Sequence, residues 1–205
     1  MPLRTTILAG LLGAIATLAW LALERADLST DALELSSGTA LATPQPLEAF
    51  SLQDVSGAAF TRENLKGRWS LVFVGFTHCP DACPVTLAVI HAAKARLDEA
   101  ATSRLQTLFV SVDPERDTPS VLAEYVGYFD PDFIAATGST SELARLCDSL
   151  GFGFVRVPQS AGRYTIDHST AVALIDPQAR VAGYFTQPLD VGALAGDLAG
   201  LPGAL

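Results

Sequence analysis

Methionine occurs once in this chain, as Met1, so any metal site must be built from cysteine, histidine or oxygen ligands. Cysteine is nearly as scarce. Three cysteines in 205 residues are too few for a disulfide scaffold, and the odd count leaves at least one unpaired. Basic charge is thin as well: 13 Lys plus Arg stand against 22 Asp plus Glu, a formal net charge of −9. A nucleic-acid binder would carry a basic footprint, so that class is excluded. Only 17% of residues are charged while 49% are apolar, which excludes intrinsic disorder over most of the length. A chain of this size holds one domain plus appendages, with a core that needs no covalent staples.

What is present begins with a long apolar run. Residues 6–23 carry no charge, and as a helix they would extend roughly 27 Å, close to the hydrocarbon thickness of a bilayer. Arg4 precedes the run, whereas Glu24, Arg25 and Asp27 follow it, so the positive-inside bias places the N-terminus in the cytoplasm and the rest outside. Ala14-Ile15-Ala16 resembles a signal-peptidase site, yet apolar residues continue to Leu23, which suits an uncleaved anchor better. No Arg- and Ser-rich presequence precedes the run, which favours a single-pass protein of a bacterial inner membrane with its C-terminal domain in the periplasm. The expected organisation is a cytoplasmic N-terminus and anchor over residues 1–25, a tether over 26–48 and a domain over 49–205.

Within that domain, 50–52 and 59–61 read as a short hairpin, and 70–76 and 105–112 as buried strands rich in β-branched and aromatic residues. Helical spacing covers 84–101, with Val89, Ile90, Ala93 and Leu97 on one stripe. Thr118-Pro119 and Ser139 each open a further helix. Residues 133–136 and 152–157 read as strands, the second leading into a polar loop at 159–167. A hairpin over 170–175 and 181–185 and a last helix from Asp190 complete a mixed sheet with helices on both faces.

One stretch carries chemistry: Phe76-Thr77-His78-Cys79-Pro80-Asp81-Ala82-Cys83-Pro84. It lies at the carboxyl end of a central strand and the start of a helix, where open α/β sheets place ligands. Cys79 and Cys83 are one helical turn apart, so both sulfurs can face one side. Their Cα atoms would lie roughly 6 Å apart, a spacing that permits a disulfide or convergence on one small ion. A helix N-terminus favours thiolate, the species that both binds metal and attacks disulfides. The usual redox motif has two residues between its cysteines, and this one has three. Where a redox site of this class needs a facing proline, Tyr164 to Thr170 holds none and offers His168 instead. Two soft thiolates and one imidazole suit copper, whereas structural zinc usually takes a fourth protein ligand.

This motif, together with Val112-Asp113-Pro114-Glu115-Arg116-Asp117-Thr118-Pro119 and Asp167-His168-Ser169, resembles the Sco/SenC copper-chaperone family over roughly residues 45–200. The resemblance implies a thioredoxin-like fold, copper ligands on Cys79, Cys83 and His168, and delivery to the binuclear copper centre of cytochrome c oxidase, with subunit II as recipient. Such a protein is a metallochaperone and not a catalyst in the turnover sense. In an oxidising compartment Cys79 and Cys83 would tend toward a disulfide, which makes a thiol-disulfide oxidoreductase a second expected partner. A rival reading uses the same sulfurs enzymatically, as a reductase of the subunit II cysteines. A peroxidase of this fold class is disfavoured, because no Thr-x-x-Cys precedes Cys79.

The other candidates divide as follows. His78 is expected to meet incoming metal or a partner, and His91 to be solvated. Cys147 falls on the apolar face formed by Leu143, Leu146 and Leu150 and is expected in the core. Asp113 and Asp117, around Glu115, read first as a turn into a capped helix and second as a partner contact. His168, beyond the polar loop, is expected to be the most mobile ligand.

Overall fold

The computed structural model describes residues 33–203. In chain order these form β1 (Thr39–Pro46), β2 (Ser51–Asp54), β3 (Ala59–Thr61), β4 (Trp69–Gly75), α1 (Ala82–Lys94) and α2 (Glu99–Ser103). Then come β5 (Leu105–Ser111), α3 (Pro119–Phe129), β6 (Ile134–Thr137), α4 (Thr140–Ser149) and β7 (Phe154–Pro158). β8 (Tyr164–His168), β9 (Val172–Ile175), β10 (Arg180–Phe185) and α5 (Val191–Ala199) follow. The expected anchor at 6–23 lies outside the described residues, among which no helix is long and apolar enough to cross a membrane.

Alternation along two fully buried strands builds the core. Leu71 and Phe73 of β4 and Phe109 of β5 point to one face, where they meet Leu87 and Ile90 of α1, Leu122 of α3 and Leu194 of α5. Val72, Val74, Leu108 and Val110 point to the other face, against Leu143, Leu146 and Cys147 of α4 and Ile166 of β8. Each large apolar side chain buried this way contributes about 1.5–3 kcal/mol. The main sheet runs β1-β10-β9-β4-β5-β6-β2-β3. β4, β5 and β6 are parallel, and the remaining neighbours are antiparallel. This is the mixed, helix-flanked sheet expected of a thioredoxin-like fold, and the hairpins at 50–61 and 170–185 fall where the sequence placed them.

Three segments depart from expectation. The tether at 26–48 contains β1, which pairs antiparallel with β10 from Thr39↔Tyr184 to Pro46↔Arg180. Pro44 and Pro46 disguise this strand, but an edge strand tolerates residues that cannot donate. Gly183 permits the approach, since a Cβ there would stand 2.6 Å from the Thr39 carbonyl oxygen. Just before β1, the Asp197 carboxylate accepts from the amides and hydroxyls of both Ser36 and Ser37 at 2.6–2.8 Å. The domain therefore begins inside the expected tether. The helix at 84–101 is two helices: α1 ends at Lys94, and the Asp98 side chain accepts the Ala101 amide to cap α2. Finally, the second half of the polar loop at 159–167, from Tyr164 on, is β8, paired with β7 from Phe154↔His168 to Pro158↔Tyr164.

Candidate metal centre

β4 delivers the chain to the site, and α1 receives it. Between them the Cys79 amide donates to the Phe76 carbonyl at 3.2 Å, folding the loop back toward the helix start. Asp81 stands at the N-cap without capping it through its side chain. The Cys79 sulfur takes part of that role, accepting the Cys83 amide at 3.5 Å. Cys83, in the first turn of α1, is 0% exposed, whereas Cys79 is half-buried. Gly75 makes room behind the pair: a Cβ there would meet the Cys83 sulfur at 2.5 Å and the Phe109 ring at 2.9 Å.

His168 enters from the last position of β8, with Nε2 3.5 Å from the Cys83 sulfur. Its Nδ1 lies 2.9 Å from the Ser169 carbonyl oxygen, which can only accept. The proton therefore sits on Nδ1, and Nε2 presents its lone pair to the sulfurs, as a metal-ligating imidazole requires. Phe73 and Phe76 hold the ring edge-on, with centroids at 6.1 and 5.8 Å. The expected mobile loop ligand is thus a strand residue wedged between aromatic rings. Cys79, Cys83 and His168 place their donor atoms within 4.8 Å of one another, the one such group of three among the described residues. Two sulfurs and an imidazole nitrogen fit a soft or borderline ion, copper foremost.

None of the three cysteines is in a disulfide. The Cys79 thiol is held well below its usual range by the hydrogen bond from the Cys83 thiol and by the Asp81 and Cys83 amides, against the opposing effect of burial. Cys83 is pushed up, first by sharing its proton with Cys79 and then by burial. The pair is one thiolate and one thiol. Iodoacetamide at pH 6 should therefore label Cys79 alone, about 3-fold faster than the same residue in denatured chain, because the gain in thiolate outweighs its lower nucleophilicity. Peptide mapping checks this, and equal rates in the two states would remove the proposed stabilisation of the thiolate.

For the acidic candidates the structure favours the first reading, a turn into a capped helix, over a partner contact. Both the Asp113 and Asp117 side chains are 0% exposed, so neither can touch a partner. Asp117 accepts the Thr77 amide at 2.9 Å, the Thr77 hydroxyl at 2.6 Å and the Ser111 hydroxyl, pinning the cysteine loop to the end of β5. Asp113 pairs with Arg116 and accepts the Tyr164 hydroxyl at 2.7 Å. Thr118 caps α3 by accepting the Val121 amide, as the structural reading of this segment expected. His78 is 55% exposed and its Nδ1 lies 3.1 Å from the Thr77 hydroxyl, beside the site but outside the donor triangle. His91, expected to be solvated, is half-exposed and faces Asp130 at 3.3 Å. Cys147 is in the core, where burial raises its thiol to about 12.

Some residues had no signal in the sequence. Tyr125 of α3 buries its hydroxyl without a partner close to the cysteines, and burial, ahead of the nearby Cys79 and Asp117 charges, raises it. Ser169 sets the imidazole tautomer through its backbone, which no side-chain motif can announce.

A family model described as SCO1/SenC matches residues 39–202. A Stutzerimonas stutzeri protein is 36% identical over 196 residues, covering 95% of this chain and 94% of its own. Copper-bound ScoI of Arabidopsis thaliana is similar with a TM-score of 0.69 and 34% identity, over 74% of this chain and 94% of that one. Copper-bound ScoI of Bradyrhizobium japonicum gives 0.68 and 35%, over 75% and 97%. The chain spans 44% and 50% of the mitochondrial relatives from Saccharomyces cerevisiae and Arabidopsis thaliana that it also matches.

Proposed function

Because this chain belongs to the SCO1/SenC family, we propose that it is a copper metallochaperone, holding one copper ion on Cys79, Cys83 and His168 as cargo. The observation that carries this reading is the meeting of both sulfurs with an Nε2 whose tautomer is already set for coordination. The copper-bound ScoI relatives support the choice of metal. The recipient in this reading is the binuclear copper centre of cytochrome c oxidase, on subunit II. The chain works from a bacterial inner membrane, anchored by residues 6–23 with its domain in the periplasm.

Exposure suggests the order of transfer. Cys83 lies at the bottom of the site and Cys79 nearer its mouth, so a recipient thiol or imidazole would displace Cys79 first. His78, exposed at the rim, is placed to touch the recipient. In the oxidising compartment Cys79 and Cys83 join as a disulfide, which takes up two electrons and two protons from a dithiol oxidoreductase before loading. The same pair keeps a second reading open, a reductase of the subunit II cysteines, favoured by the stabilised Cys79 thiolate beside a resolving thiol.

Copper stoichiometry of the full-length chain tests the first reading. Reduced protein should bind one ion and oxidised protein none, measured by metal analysis after desalting. Equal binding in both states would remove the thiolates from the site.

A further inference from the structure

β7 and β8 form a two-stranded sheet of their own, without a hydrogen-bond ladder to the sheet that leads to the cysteines. A lone hairpin is marginal in water, so its side chains must fix where it stands. Tyr164, Ile166 and His168 alternate onto one face of β8. His168 occupies one end and meets the sulfurs, and Ile166 is buried in the core beneath the sheet. Tyr164 occupies the other end, about 13 Å away at the rise of an extended strand.

Tyr164 is fastened on every side. The Arg116 guanidinium lies 3.8 Å from one face of its ring, and that of Arg156 lies 3.9 Å from the ring. Its hydroxyl donates to the buried Asp113 at 2.7 Å, and its carbonyl accepts from Arg116 Nη1 at 3.3 Å. Arg116 is itself paired with Asp113, and Arg156 with Glu115 at 2.7 Å. Arg116 also approaches the ring of Phe76, one of the two that hold the imidazole. The next residue, Asp117, holds Thr77 of the cysteine loop. One short segment, 113–117, thus grips both the element carrying the imidazole and the loop carrying the thiols.

We propose that Tyr164 is a positioning residue: clamped to Asp113, Arg116 and Arg156, it sets where His168 stands relative to the two sulfurs. This rests on the copper-site reading above. In the full-length reduced chain, Tyr164→Leu should lower Cu(II) affinity about 10-fold, the scale of an outer-shell loss. It should also weaken the nitrogen splitting in the Cu(II) resonance spectrum. Tyr164→Phe keeps the ring between the guanidinium groups and should lose less. Arg156→Gln, a half-exposed change that buries nothing, should shift affinity in the same direction and guards against misfolding of the leucine variant. Cys147→Ala, a core change that removes none of the clamp's hydrogen bonds or ion pairs, should lower the melting temperature and leave copper affinity alone. Wild-type affinity and splitting in the Tyr164→Leu and Arg156→Gln proteins would overturn the proposal. So would an equal affinity loss in Cys147→Ala. Wild-type copper affinity in the His168→Ala protein would instead sink the three-ligand copper reading itself.

Discussion

With alanine in place of His168, copper affinity should fall at least about 100-fold, beyond the 10- to 100-fold typical of second-layer losses. Exchange of the Cys79–Cys83 pair with a small disulfide should proceed near the wild-type rate. The asymmetry follows from what each reaction needs. Coordination takes a nitrogen lone pair, and Nε2 of His168 supplies it 3.5 Å from the Cys83 sulfur. Thiol-disulfide exchange takes a thiolate and a resolving thiol, and the largest cause of the lowered Cys79 thiol is its hydrogen bond from Cys83, with the Asp81 amide next among the causes that lower it. A 100-fold loss corresponds to about 2.7 kcal/mol. Competition against a chelator of known affinity reads the first quantity, and the absorbance of a released aromatic thiol reads the second. Unchanged copper affinity would leave two sulfurs as the whole site and make reductase chemistry the better account.

Asp117→Ala should produce the largest loss of stability. The wild-type carboxylate is 0% exposed and accepts three hydrogen bonds, from the Thr77 amide, the Thr77 hydroxyl and the Ser111 hydroxyl. Alanine would leave the buried Ser111 hydroxyl and the partly buried Thr77 amide without an acceptor and the Thr77 hydroxyl with His78 Nδ1 alone, each lost acceptor costing about 1–3 kcal/mol. Partial relaxation brings the expected total to about 3–5 kcal/mol. For a domain of this size that lowers the melting temperature by about 10–15 °C. Asp117→Asn retains one carbonyl acceptor and should fall between alanine and wild type. Because Thr77 lies two residues before Cys79, the alanine variant should also lose the selective alkylation of Cys79 at pH 6. A melting temperature within a few degrees of wild type would show that the cysteine loop is held by other contacts.

Much of the fold was legible because its signals are local. Residues 70–76 and 105–112 announce buried strands by composition, and Thr118-Pro119, Ser139 and Asp190 announce helix starts by capping chemistry. The failures share a cause. β1 hides behind prolines that only an edge position can accommodate, and whether a segment lies at an edge depends on the partner strand. β8 reads as a polar loop because it pairs only with β7, where polar residues face water without cost. The turn at Asp113 and Asp117 was legible, but the partner contact offered as its second reading fails, since nothing in a linear motif shows the Thr77, Ser111, Arg116 and Tyr164 groups that satisfy both acids inside.

The amino-acid order alone settled the chemical identity of the donors. Two sulfurs one turn apart at a helix start, one distant imidazole and no methionine after the first residue define which ions could be held, because coordination preference belongs to atom type. Tertiary structure alone decided that the imidazole, 85 residues from Cys83, meets it at all. It decided as well which ring nitrogen is bare, which sulfur is accessible and which acids are enclosed. Those outcomes depend on separations of a few ångströms across the sheet, and they are set by packing among residues far apart in the chain.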